Sequence, residues 1–117
     1  DHGWEKWGNF PQERDRLFKL VADSGAKGVV LLSGDRHISE FSKLMVDDLD
    51  YPLLDFTASG LTHVYADYTS EKNQYRIGEV VHEKNFGLIT LDVLNKTAHF
   101  QIMGDNSEVF QELKQAY

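Results

Sequence analysis

The chain has 117 residues, 41% of them hydrophobic and 26% charged, which suits one globular domain or part of one. Its formal net charge of −7 argues against a nucleic-acid backbone binder, which needs clustered Lys and Arg, but not against one phosphate ester held through a metal. With no cysteine, a disulfide framework and a thiolate zinc site are excluded, while the redox compartment stays open.

No apolar run approaches the ~18 residues of a membrane-spanning helix, and no secretory leader is visible. The first residue is Asp1 rather than Met, so the chain is expected to be processed or cut from a longer protein.

Residues 1–10, "DHGWEKWGNF", read as a loop whose Trp4, Trp7 and Phe10 cover apolar surface. A helix follows from Pro11, which suits the first helical position because its missing N–H costs nothing there. Glu13 favours the first turn through the helix dipole. Phe10, Leu17, Phe18, Leu20 and Val21 form the stripe expected to be buried, and Gly25 is the natural C-cap.

"GVVLLS" (28–33) lacks alternation and reads as a short strand covered on both faces. A helix leading directly into such a strand is the unit of a layered α/β domain. "ISEFSKLMV" is open between helix and strand. "DDLDYP" is a turn, and "LLDFTASG" a second strand. Residues 61–79 read mostly as loop, long enough to suggest a functional role or a cover. "FGLITLDVLNKTAHFQIMG" is a β-hairpin turning at Asn95-Lys96, which also accounts for the glycosylation-like Asn95-Lys96-Thr97. "SEVFQELKQAY" has a helical composition. There is no repeat or low-complexity segment, so residues 1–117 are expected to be a single unit.

The chemistry gathers where the first strand ends, in Ser33-Gly34-Asp35-Arg36-His37. Ligands of open α/β sheets sit beyond the carboxyl ends of strands. In an extended segment, Asp35 and His37 would point to one side, roughly 6.6 Å apart along the chain, with Arg36 turned away. A carboxylate with an imidazole suits Zn, Fe or Mn; a carboxylate alone suits Ca. Two ligands are too few for a catalytic metal. Further donors are His2, His63, His82, His99 and scattered Asp residues, with His99 reading as a surface residue of the hairpin. On spacing alone, a metal site and a plain polar turn both stay open. Ser33, Ser59, His63 and Asp55 do not make a serine hydrolase, because no Gly-x-Ser-x-Gly elbow is present.

Four blocks in order, "WGNFPQERDRLFKLV", "GVVLLSGDRHISEFSKL", "FTASGLTH" and "NFGLITLD", resemble the C-terminal part of the alkaline phosphatase D (PhoD-like) family of metallophosphoesterases. The likeness runs from about Trp4 to about residue 103. It implies an α/β fold: the C-terminal half of an αββα sandwich, two packed mixed β-sheets flanked by helices. It also implies metal-dependent hydrolysis of phosphate mono- or diesters at two or more metal ions (Fe, Ca, Zn or Mn). Asp35 and His37 would be metal ligands, with Asp35 standing where the superfamily's motif usually has its first His. His2 precedes the helix as the superfamily's isolated His does, and would be a further ligand. Arg36 and His63 would lie on the substrate side. The family's upstream ligand blocks are not in this sequence. The resemblance therefore implies an N-terminal half of the same protein as partner, and an inactive chain without it. It further implies a periplasmic or extracellular location, while the absence of specific nucleic-acid binding and of a membrane span is expected from charge and hydropathy alone. The alternative is a non-catalytic β-rich binding or structural module that retained the fold.

Overall fold

A computed structural model describes residues 5–117; His2 and Trp4 lie outside them. A single 3₁₀ turn at Trp7–Asn9 leads into α1 (Pro11–Ser24). Pro11 opens the helix, and Gly25, at φ 66°, closes it by donating its N–H to Ala22 O, in the left-handed cap that glycine adopts without a Cβ penalty. Seven strands follow: β1 (Val30–Ser33), β2 (Ser39–Leu44), β3 (Leu53–Ala58), β4 (Arg76–Val81), β5 (Asn85–Asp92), β6 (Thr97–Gly104) and β7 (Val109–Ala116).

The strands form two sheets. The first is mixed, in the order β1-β3-β2-β4, with β1 parallel to β3 and the other pairs antiparallel. The second is an antiparallel meander, β5-β6-β7. Their inner faces share one core, with Phe41, Leu54, Phe56 and Val81 from the first sheet and Ala98, Phe100 and Ile102 from the second. Phe56 is its hinge. Its ring lies 4.8 Å from Phe41 and meets Phe100 edge-on at 5.9 Å, a geometry that suits the aromatic quadrupole. β6 alternates half-buried and buried along its whole length, the period-2 signature of a strand with one face in the core. A Cβ on Gly87 would lie 2.8 Å from Ala58 Cβ, so glycine is what lets β5 come this close to β3.

The outer face of the mixed sheet is polar. Cross-strand register sets Leu31, Asp55, Ser42 and Arg76 in one row, and Ser33, Thr57 and Glu40 in the next. A cavity of about 480 Å³ separates this face from Arg14, Leu17 and Phe18 of α1.

Several expectations are corrected. Residues 109–116 are strand β7, not helix, although Glu, Gln, Lys and Ala favour helix. Pairing with β6, which sets Leu113 beside Phe100 and Val109 beside Met103, overrides that weak preference. The open segment at 38–46 contains β2, and the expected loop 61–79 ends early because β4 begins at Arg76. β1 is not covered on both faces. It is an edge strand, and Leu32 is 67% exposed. Of the helical stripe only Val21 is buried; Leu20 is 65% exposed, and Phe10 and Trp7 are also open rather than covering a core. The helices expected on both sides reduce to α1 among the described residues. No helix among them is long and apolar enough to cross a membrane.

Candidate functional site

The chain leaves β1 at Ser33 and enters β2 at Ser39, so the Asp35–His37 turn stands at the carboxyl end of a parallel strand. The extended geometry assumed for it does not hold. Asp35 and His37 both adopt left-handed backbones, at φ 68° and 55°. Gly34 is not the residue that bends. Left-handed conformation is uncommon outside glycine, with Asp and His among the more tolerant types. Two such residues in three persist only where the surroundings over-determine them, and such clusters gather at functional sites.

His37 is held through its backbone at both ends. Its N–H donates to Ser59 Oγ at 3.1 Å, and its carbonyl accepts from Tyr65 N–H at 2.8 Å. The imidazole is left to face outward, and His63 comes to it. The two ring centroids are 5.9 Å apart with planes at 28°, while His63 Nδ1 lies 3.0 Å from Thr62 Oγ1. Nothing in the spacing of 37 and 63 foretold this meeting. It follows from β2 and β3 being antiparallel neighbours, which returns residues 59–63 to the turn.

Arg36 takes a different part. It forms an ion pair with Glu71, both side chains mostly buried, so its charge is already engaged. The pair fastens loop 59–75 over the end of the mixed sheet. Arg76 fastens the same loop from below. Its Nε pairs with Glu40, its NH1 donates to Glu71 O at 3.0 Å, and its NH2 donates to Tyr68 hydroxyl at 3.4 Å. Asn73 Nδ2 donates to Glu40 Oε1 and Ser42 Oγ. Tyr68 packs on His82, ring centroids 5.7 Å apart. His99 sits on the other sheet, 2.8 Å from Glu112 of β7.

The cavity under α1 reaches this turn, since Gly34, Asp35 and Arg36 line it together with Asp55 and Glu40. Burial pushes the Asp55 carboxyl above its ordinary range, the Ser33 hydroxyl bond opposes this, and the Glu40 charge adds to it. Ser33 Oγ donates to Asp55 Oδ1 at 2.8 Å.

As a metal site the described residues fit in chemistry and fall short in number. Asp35 and His37 offer one carboxylate and one imidazole, yet no group of three or more His, Cys, Asp or Glu among the described residues is arranged to hold an ion. Expected His2 lies outside the described residues. A complete ligand set would need donors from elsewhere.

Sequence reasoning missed Ser39 and Asn85, which hold the turn, and Glu40, which holds the loop; Ser59 reads only as part of a strand end and turn near the site. A polar residue inside a short apolar strand gives no local sign of whether it is buried and bonded. The one available signal was Ser59-Gly60 directly after a strand, a typical place for a turn that hydrogen-bonds its neighbours. Compared with models of known protein families, with curated proteins and with solved structures, the chain gives no match.

Proposed function

We propose that the chain is the C-terminal half of a metal-dependent hydrolase of phosphate mono- or diesters, related to the PhoD-like metallophosphoesterases. One observation carries the reading. The Gly-Asp-Arg-His turn stands at the carboxyl end of a parallel strand, with the Asp35 and His37 backbones in the left-handed region and a second imidazole beside His37.

In this reading Asp35 and His37 are metal ligands, and His2 is a third. His63 borders the substrate, where an imidazole can donate a hydrogen bond to a phosphoryl oxygen or move a proton at the leaving group. Arg36 acts through Glu71 rather than on the substrate. Divalent cations (Fe, Ca, Zn or Mn) supply, when bound, activation of water and stabilisation of phosphoryl charge. The missing donors come from an N-terminal half. The apolar side of the sandwich at β1 and β5, where Leu32, Leu61 and Phe86 are exposed, supports a partner of that kind, because single domains seldom leave so much apolar edge open. A periplasmic or extracellular location belongs to the same resemblance.

The test is to combine the chain with its N-terminal half and assay p-nitrophenyl phosphate and bis-p-nitrophenyl phosphate, with and without chelator. Asp35→Ala with His37→Ala is expected to lower kcat/KM by about a hundredfold or more, a loss of about 2.7 kcal/mol of transition-state stabilisation. Full activity in the double variant, or activity indifferent to chelator, overturns the proposal. The alternative reading is a β-rich binding or structural module without catalysis. Metal-free, chelator-resistant ligand binding by the joined halves, without turnover, would establish it.

A further inference from the structure

The left-handed His37 backbone is the end of a chain of hydrogen bonds that starts buried on the other sheet and runs out to the surface. Asn85 is the first residue of β5, only 3% exposed. Its Oδ1 accepts from the Ser39 hydroxyl at 2.6 Å, and Ser39 is 0% exposed. Ser39 Oγ in turn accepts from Ser59 N–H at 3.1 Å. Ser59 Oγ then accepts from His37 N–H at 3.1 Å.

Each link is fixed at its own end. Asn85 Nδ2 donates to Glu83 O at 2.8 Å, so the amide has only one orientation that satisfies both its atoms. Asn85 N–H donates to Gly60 O at 3.1 Å. A Cβ on Gly60 would lie 2.2 Å from Asn85 Nδ2, so glycine is required where the amide passes. At its buried end, where Asn85 and Ser39 are bonded, such a network favours one geometry, because an alternative leaves a desolvated group unpaired.

We propose that Asn85, Ser39 and Ser59 are positioning residues: a relay that carries the geometry of the second sheet to the His37 backbone and so sets where its imidazole stands. The relay is independent of what His37 does. Its catalytic consequence rests on the hydrolase reading above. Packing alone does not explain the arrangement, since a strand start and a loop beside the core could be filled by apolar residues. What the three polar side chains add is a directed bond to a backbone N–H in an uncommon conformation.

The experiment uses the chain labelled for nuclear magnetic resonance. In the unsubstituted chain the His37 amide is expected to be protected from hydrogen exchange, and its Cα and Cβ shifts to report a left-handed residue. An unprotected amide or ordinary shifts overturn the relay. Ser59→Ala removes the last acceptor at a half-buried position. His37 exchange is expected to accelerate tenfold or more, its shifts to move, and the amides of Phe100 and Ile102 to stay protected. Ser59→Thr keeps the hydroxyl and is expected to restore His37. A folded Ser59→Ala chain with unchanged His37 signals overturns the relay.

The second arm joins the chain to its N-terminal half. Ser59→Ala is expected to lower kcat tenfold or more on bis-p-nitrophenyl phosphate with KM unchanged, and Ser59→Thr to recover it. If His37 loosens as expected while kcat does not move, the relay stands and the role given to His37 in hydrolysis fails. If His37 does not loosen, the relay fails whatever the activity.

Discussion

The two sides of the sandwich are finished differently. On one side, β4 and β7 are stitched together by a single side chain. The Gln111 amide donates to Glu79 O and accepts from Glu79 N–H, so it pairs with the edge of β4 as a strand would. Gly78 makes room, because a Cβ there would collide with Gln111 Oε1. On the other side, β1 and β5 leave a groove of about 350 Å³ lined by Leu32, Phe56, Ala58, Leu61, Phe86 and Ile89. On one edge the N–H and C=O of Glu79 are bonded across to the other sheet. The other shows apolar side chains and a parallel strand, β1, paired with β3 on one side only. Parallel strands are ordinarily interior elements. The contrast is one of exposure: one side is bridged by polar bonds, the other leaves apolar side chains open.

The largest expected effect comes from the closed side. Gln111→Leu removes both hydrogen bonds to the exposed Glu79 backbone and is expected to cost about 0.5–1.5 kcal/mol, read as a lower midpoint in urea. A cost below about 0.5 kcal/mol would mean that water replaces the amide and that this edge is no more closed than the other.

A smaller effect, of opposite sign, is expected beside the open edge at Asp55, the neighbour of β1. Its folded carboxyl is raised above 3.8 mainly by burial. The folded state then holds the proton more tightly than the unfolded state, so stability falls as pH rises from the unfolded value through the folded one. Asp55→Asn keeps an acceptor for Ser33 and removes this loss. It is expected to raise Tm by a few degrees at neutral pH, with no gain below the unfolded carboxyl range. A destabilised variant at pH 7 would show that the charge is used, and would assign it a cationic partner.

The smallest effect is expected at Leu32. Leu32→Lys on the open edge should change the stability of the chain by no more than about 0.5 kcal/mol, because Leu32 is already 67% exposed. A loss above about 1 kcal/mol would place Leu32 in the core and remove the contrast.

How much of this was legible depended on how local its causes are. The helix was readable because Pro11 and Gly25 mark its ends by backbone chemistry alone. The β5–β6 hairpin was readable because Ala98, Phe100 and Ile102 alternate inward, and Lys96, at φ 50°, turns between strands that are adjacent in sequence. β7 was misread because its Glu, Lys and Gln residues carry a helical preference that only the neighbouring strand overrides. At the site, Asp35 and His37 were found by residue type, but their geometry was not. Alternation describes extended chains, and left-handed φ at two non-glycine residues is imposed from outside the segment. The imposing groups, Ser59, Ser39 and Asn85, lie far away in sequence. Arg36 was separated from Asp35 and His37 by the same alternation; its ion pair with Glu71 depends on a loop whose path no local rule gives.

The position of Asn85 also has a consequence in time. The meander that begins with it is built from successive hairpins, contacts between near neighbours that close quickly. The mixed sheet must join β1 to β3 in parallel and bring β4 back across a long loop, which is slower for the entropy it has to give up. The Asn85 amide is therefore expected to be in place before the segment it orients arrives. Pulse-labelled exchange during refolding would read this as protection at Phe100 preceding protection at His37. The turn would then be moulded last, against a surface already set.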